Sequence, residues 1–270
     1  MKSKAILLSL FILITFLCLA IFTAAEASVV KWSQLPRMDQ WGHDFSSEVN
    51  SGLFSSSVVA DDYLCEDGLP VTKIRWWGSY WNAGDYYPST SSNNLVNPVP
   101  GPVSPDTVKA FVIAIFNDVP AGAGYPQWSH PGIKLLHLEK FLISSANETF
   151  YGQIDHADGQ IGQGTDTIEA VFQYEHTLAD PFKQKAGNVY WLSIIAFDPN
   201  GKTIQWGWHE SEDLWRGNAV QLGHCPIGWN LLTDKDMAFE LEVVPLPNTL
   251  LLAATGLIGI LGVKRRFRGD

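Results

Sequence analysis

The sequence predicts an all-β domain, an antiparallel β-sandwich of jelly-roll-like type, with an N-terminal signal helix before it and a short transmembrane helix behind it. Three observations carry this. Apolar residues recur at every second position in several segments, and turn residues separate those segments. The body has no long stretch with the 3.6-residue apolar period of an amphipathic helix. Both ends of the 270-residue chain pair an apolar run with basic residues.

The strands follow from period and composition. In "TIEAVFQYE", Ile168, Ala170, Phe172 and Tyr174 share one face, and Glu169, Val171, Gln173 and Glu175 the other. "AFELEVV" turns Phe239, Leu241 and Val243 inward and Glu240 and Glu242 outward. "VTKIRWWGSYW", "VKAFVIAIFND", "IKLLHLEKFLI" and "NVYWLSIIAFD" are longer and apolar on both faces, as central strands covered by loops would be. "SVVADDY" and "TIQWGW" are shorter candidates, and "DPNGK" reads as a hairpin turn between "NVYWLSIIAFD" and "TIQWGW". Eight to ten such strands suit a sandwich. The segment "NAGDYYPSTSSNNLVNPVPGPVSPD" exceeds the ~12–15 residues at which loops without structure become uncommon, so it reads as a mobile or binding loop.

The ends divide the chain into residues 1–27, a signal peptide; 28–54, a lead-in; 55–243, the sandwich; and 244–270, a sorting tail. Lys2 and Lys4 precede the run "AILLSLFILITFLCLAIF". Ala25 and Ala27 then fit the small-x-small rule of signal peptidase, with Ser28 as the new N-terminus. An uncleaved anchor is the alternative. Near the C-terminus, Leu250 to Val263 would reach only ~21 Å as a helix, short of the ~30 Å hydrocarbon core. Lys264, Arg265, Arg266 and Arg268 follow at once, as a cytoplasmic stop would.

Together "VPLPNTLLLAATGLIGILGVKRR" resembles a PEP-CTERM sorting signal of Gram-negative bacteria: a Pro-x-Pro motif, a short helix and a basic end. Here the motif is Val244, Pro245, Leu246 and Pro247, with Leu246 where the commonest form has Glu. The resemblance implies handling by an exosortase-type transpeptidase and transient anchoring, then release to the cell surface or medium, often beside exopolysaccharide. A second resemblance covers most of residues 55–245. "ADDYLCEDGLPVTKIRWWGSYW", "FVIAIFNDVPAG", "YPQWSHPG", "YWLSIIAF" and "QWGWH" are similar to a domain of unknown function common in secreted PEP-CTERM proteins. It implies a β-rich exported body and no site residues.

The whole chain carries −10. Loss of Lys2, Lys4 and Glu26 removes one net positive charge. Loss of Lys264, Arg265, Arg266, Arg268 and Asp270 removes three more, so the body carries about −14. Such a body repels nucleic acid. Cys65 and Cys225 are a disulfide candidate in an oxidising compartment, or else two buried thiols.

Candidate chemistry is sparse. In "RWWGSYWNAGDYY", Trp77 and Trp81 share the face opposite Trp76 and Tyr80. Exposed, they and Tyr86 and Tyr87 would stack on sugar rings about 13 Å apart along the strand. Trp206 and Trp208 offer a second platform. The alternative is that each tryptophan fills the core. Asp61 and Asp62, and Asp155, Asp158 and Asp166, could hold Ca²⁺ or could be ordinary turn residues. Asn147 opens a formal glycosylation sequon that also reads as a turn. No nucleophile elbow, zincin helix or phosphate loop is present, so no catalytic residue is assigned. The expectation is a non-enzymatic surface or matrix protein that binds polysaccharide; a glycosidase-like hydrolase and a purely structural domain are the alternatives.

Overall fold

The computed structural model describes residues 28–49, 57–80, 108–123, 125–144, 147–156, 167–201, 204, 206–224 and 227–244. Among them the secondary structure is strand throughout, with no helix. In chain order the strands are β1 (Val29–Gln34), β2 (Asp44–Ser46), β3 (Glu48–Val49), β4 (Val58–Cys65), β5 (Val71–Tyr80), β6 (Ala110–Val119) and β7 (His130–Leu142). There follow β8 (Glu148–His156), β9 (Thr167–Phe182), β10 (Asn188–Phe197), β11 (Trp206–His209), β12 (Val220–His224), β13 (Ile227–Leu231) and β14 (Phe239–Val243).

They form two seven-stranded sheets. The first runs β1-β14-β5-β11-β2, with β9 on the other side of β5 and β8 beyond it. The second runs β13-β12-β4-β10-β6-β7, with β3 added parallel to the end of β10. Consecutive strands change sheet, β4 to β5 and β9 to β10. The later pair lies antiparallel against the earlier one, β10 on β4 and β9 on β5. This is the nesting of a rolled hairpin. The roll is partial, because β7 folds straight back on β6 in the same sheet.

Two expectations change here. Residues 29–49, read as a lead-in, supply β1, β2 and β3 to the sheets. The "DPNGK" turn is real, with Gly201 N–H donating to the Asp198 carbonyl at 3.0 Å and Asn200 N–H to Asp198 Oδ1 at 2.6 Å. It does not close a hairpin, because β10 and β11 belong to different sheets. The turn carries the chain across the sandwich.

The core between the sheets is aromatic. Trp76, Tyr174, Trp206 and Trp208 from the first sheet meet Tyr63, Phe111, Ile113 and Ile194 from the second, all fully or almost fully buried. Trp76 stacks on Tyr174 with ring centres 5.7 Å apart, and Phe111 stands edge-on to Trp76, Tyr174 and Trp206. Gly78 makes this possible: a Cβ there would fall 2.6 Å from Cε2 of Trp206. Each such ring removes ~150–250 Å² from water, so the aromatic layer dominates the burial term. On the outer face of the first sheet, Arg75 pairs with both Glu240 and Glu242, and Lys73 lies 2.6 Å from Glu175. The outward charges expected on β14 are therefore paired across strands.

Candidate functional site

The tryptophan platforms are corrected by burial. Trp77 is 2 % exposed, Trp206 1 % and Trp208 0 %. Trp206 and Trp208 occupy alternate positions on the inward face of β11, so both enter the core. Their indole N–H groups donate to Tyr174 Oη at 3.3 Å and to the Ala238 carbonyl at 2.8 Å. Trp77 does face outward, as the pleat requires. It is covered there by Ile154, Val171, Ala238 and Met38, with Tyr151 edge-on to its ring. None of the three offers a face to a sugar. Trp81, Tyr86 and Tyr87 lie outside the described residues, as do Ala25, Ala27, Pro245, Leu246, Pro247, Lys264, Arg265 and Arg266. Ser28 and Val244 are described, and Val244 is exposed.

Cys65 is a free, buried thiol. Its Sγ accepts from the Gly68 N–H at 3.3 Å, at the far end of β4. Cys225 lies outside the described residues. With Cys65 a free thiol, the expected disulfide does not form. Asn147 behaves as a turn residue, its Oδ1 accepting from the Ser144 N–H and hydroxyl.

Asp61 and Asp62 cannot close on one ion, since neighbours on a strand face opposite sides. Asp61 enters the core beside Val59 and Tyr63, where Oδ2 accepts from the Met237 N–H at 2.7 Å and Oδ1 from the Asp62 N–H at 2.8 Å. Asp62 faces outward near Asp236, Asp118 and Arg216. Burial foremost, then Asp236, pushes the Asp62 carboxyl up to about 7; burial also takes Asp236 to about 7 and holds Asp61 well above the carboxylate range. Of the other acids raised in the sequence, Asp155 lies in β8, and Asp158 and Asp166 are outside the described residues.

The structure brings together a group that no local pattern announces. A cleft of about 620 Å³ opens where β6 ends, β7 begins and the β9–β10 connection passes. Lys134, Lys183, Lys185 and Arg216 line it, with one acid, Asp118. Asp118 is engaged with the wall, its Oδ1 accepting from Ser129 Oγ at 2.7 Å and Trp191 Nε1 at 2.9 Å. Phe182 and Tyr190 also line the cleft, edge to face at 5.4 Å. Its rim is shaped by a bulge in β7 between Pro131 and Leu135, opposite Phe116 and Asp118 of β6. There Asn117 Oδ1 accepts from the Lys134 N–H at 3.0 Å and its side chain fills the space that Gly132 leaves. Arg216 adopts φ 58°, an uncommon backbone for a long side chain, and its guanidinium lies over the Trp215 ring at 5.8 Å. The only trace in the sequence is the Lys-Gln-Lys at 183–185, where a strand period separates two lysines. A second polar cluster, Asp44, Glu169 and His209, has the donor types of a metal site.

An all-β sandwich with a cationic cleft and a sorting tail defines an exported β-domain protein. Residues 30–242 match the family model of a domain of unknown function (DUF7901), and residues 243–266 match the PEP-CTERM protein-sorting motif. The chain belongs to the DUF7901 family and carries a PEP-CTERM signal for exosortase-type processing. No curated protein and no solved structure is similar to it.

Proposed function

We propose that this protein is displayed at the cell surface or in the extracellular matrix and binds anionic polysaccharide there without cleaving it. The observation that carries the reading is the cleft: four cationic side chains converge on a domain that is otherwise strongly acidic, and its single carboxylate is already hydrogen-bonded to the wall. Lysine and arginine suit carboxylate or sulfate groups on a sugar chain, while Phe182 and Tyr190, 7 % and 6 % exposed, only close the floor of the cleft. Signal peptidase and an exosortase-type enzyme would deliver the domain, and an exopolysaccharide would be its partner. The hydrolase alternative has less support, because Asp61, Asp62 and Asp236, at 0 %, 2 % and 0 % exposed, are sealed from a substrate.

The test is retention on immobilised polyuronate beside a neutral β-glucan of matched length. Retention on the polyuronate alone, falling as salt rises and lost in Lys183→Glu/Lys185→Glu with an unchanged melting temperature, is the expected result. Equal retention on both polymers, or on neither, would leave a structural surface domain.

A further inference from the structure

Three strands of the first sheet bring an imidazole and two carboxylates together on its outer face. Asp44 of β2 stands directly across from His209 of β11, and β9 contributes Glu169. His209 Nδ1 lies 2.8 Å from Asp44 Oδ1 and 3.9 Å from Glu169 Oε1. One ligand atom from each residue falls within 4.8 Å of the other two. The His209 side chain is 0 % exposed, while those of Asp44 and Glu169 keep 14 % and 13 %. The ring is sealed and the carboxylate side is open to small species.

The surroundings orient this group from outside it. His209 Nε2 lies 2.8 Å from the Arg37 carbonyl. A carbonyl only accepts, so Nε2 carries the hydrogen and Nδ1 is the atom turned to the carboxylates. A ring nitrogen tied to a backbone carbonyl, leaving the other for an ion, is the usual outer-shell arrangement of a metal-bound histidine. Ser79 donates its hydroxyl to the second oxygen of Asp44 and fixes that carboxylate in turn. Space is kept by glycine: a Cβ on Gly207 would lie 2.5 Å from Asp44 Cβ, and one on Gly42 would lie 3.2 Å from His209 Nε2. Larger residues at either position would push the cluster apart.

We propose that Asp44, Glu169 and His209 bind one first-row divalent cation, of the Zn²⁺ or Mn²⁺ class. Two carboxylate oxygens and one imidazole nitrogen suit such an ion, with water completing its shell on the open side. Ca²⁺ fits less well, because it asks for 6–8 oxygen ligands. Without an ion the group holds together by keeping protons. Burial foremost, then Glu169, pushes the Asp44 carboxyl up to about 8, while for His209 burial is outweighed by Asp44, which holds the ring at about 9. A cation at the centre would replace those protons. It would also clamp β2, β9 and β11, which are far apart in sequence.

The full-length chain, purified in mild detergent and dialysed against a chelator, would be titrated with Zn²⁺ by calorimetry and with Co²⁺ by visible absorption. The expected result is one equivalent bound, a raised melting temperature and Co²⁺ ligand-field bands. Asp44→Asn and Glu169→Gln should each weaken Zn²⁺ binding by a factor of about ten or more, and Ser79→Ala should weaken it while keeping the stoichiometry. Near-UV circular dichroism of the metal-free variants separates lost binding from lost folding. If the ligand variants do not fold, the wild-type stoichiometry and Co²⁺ spectrum decide, together with His176→Gln. That variant tests the other His-Glu group, where His176 Nε2 lies 2.7 Å from Glu139 Oε1. No stoichiometric binding by the wild type would overturn the proposal and leave a proton-held cluster. Binding that survives in folded Glu169→Gln, or that disappears in His176→Gln, would overturn it equally.

Discussion

Buried acids make this domain less stable as pH rises, and Asp62→Asn isolates the effect. Asp62 is 2 % exposed and its carboxyl is raised to about 7, by burial and then by Asp236 and Asp118, with Arg216 opposing. In the unfolded chain an aspartate titrates near ~3.9. The folded value lies above the unfolded one. The contribution is therefore fully present below pH ~4 and is lost as pH climbs through about 7. At ~1.36 kcal/mol for each unit of difference, the folded protein loses about 2–3 kcal/mol from this residue between pH 5 and pH 8. Solvent screening barely reduces this, since the group is buried. Because Asp236 shares the interaction, the two effects do not simply add. Asparagine has no proton to lose. Urea unfolding of wild type and Asp62→Asn at pH 5 and pH 8 should show the variant gaining about 2 kcal/mol on the wild type at the higher pH. Groups that do not interact with Asp62 cancel in the comparison, while Asp61 and Asp236, which do, contribute to the difference along with it. If the difference between the two proteins is the same at both pH values, Asp62 is ionised throughout and the reasoning fails.

Other outcomes follow from packing and from the tail. Trp77→Ala should cost ~3–5 kcal/mol in urea unfolding, because it empties a space walled by Ile154, Val171, Ala238 and Met38; a cost under ~1 kcal/mol would mean the ring is not in fact enclosed. Cys65 should resist a thiol reagent in the native protein and react once the protein is unfolded without reductant, and reaction only after reduction would show that it is disulfide-bonded. Mass spectrometry of the exported protein should find Ser28 as the first residue and no Lys264, Arg265 or Arg266, whereas an intact basic end in the extracellular fraction would contradict release of the tail.

What could be read from the chain depended on whether a signal was local. β5, β6, β9, β10 and β14 announce themselves because their two-residue period or β-branched and aromatic content is continuous. β2 and β3 are too short for any period to register, and β12 and β13 are known as strands by their partners, not by their composition. The Asp198–Gly201 turn has the chemistry of a hairpin, but the same turn can send the chain to the other sheet, and sequence does not distinguish the two. Alternation correctly put Trp77 opposite Trp76. It could not say that Met38 and Ile154 would lie over Trp77, since that cover comes from strands and segments distant in sequence. Lys134, Lys183, Lys185 and Arg216 meet only because β7, the β9–β10 connection and the segment before β12 end at one place. The same holds for Asp44, Glu169 and His209.

The proposed function has to reconcile two charges of opposite sign. An anionic polymer approaching a body of about −14 is repelled at long range, yet the Debye length is only ~8 Å at physiological ionic strength. Beyond that distance the body's field is largely screened. Within it, the polymer would meet Lys134, Lys183, Lys185 and Arg216 before any distant carboxylate. The acidic surface would then act as a filter, discouraging contact except at the cleft, and the four cations would supply a local well too shallow for tight binding by a single domain. A PEP-CTERM signal implies export and transient anchoring in the membrane, and the proposed function adds display of many copies on one surface. Many shallow sites on that surface would hold a long polymer that no single site could retain. The tail and the cleft would thus depend on each other: display makes weak binding sufficient, and weak binding lets a displayed layer rearrange along the polymer.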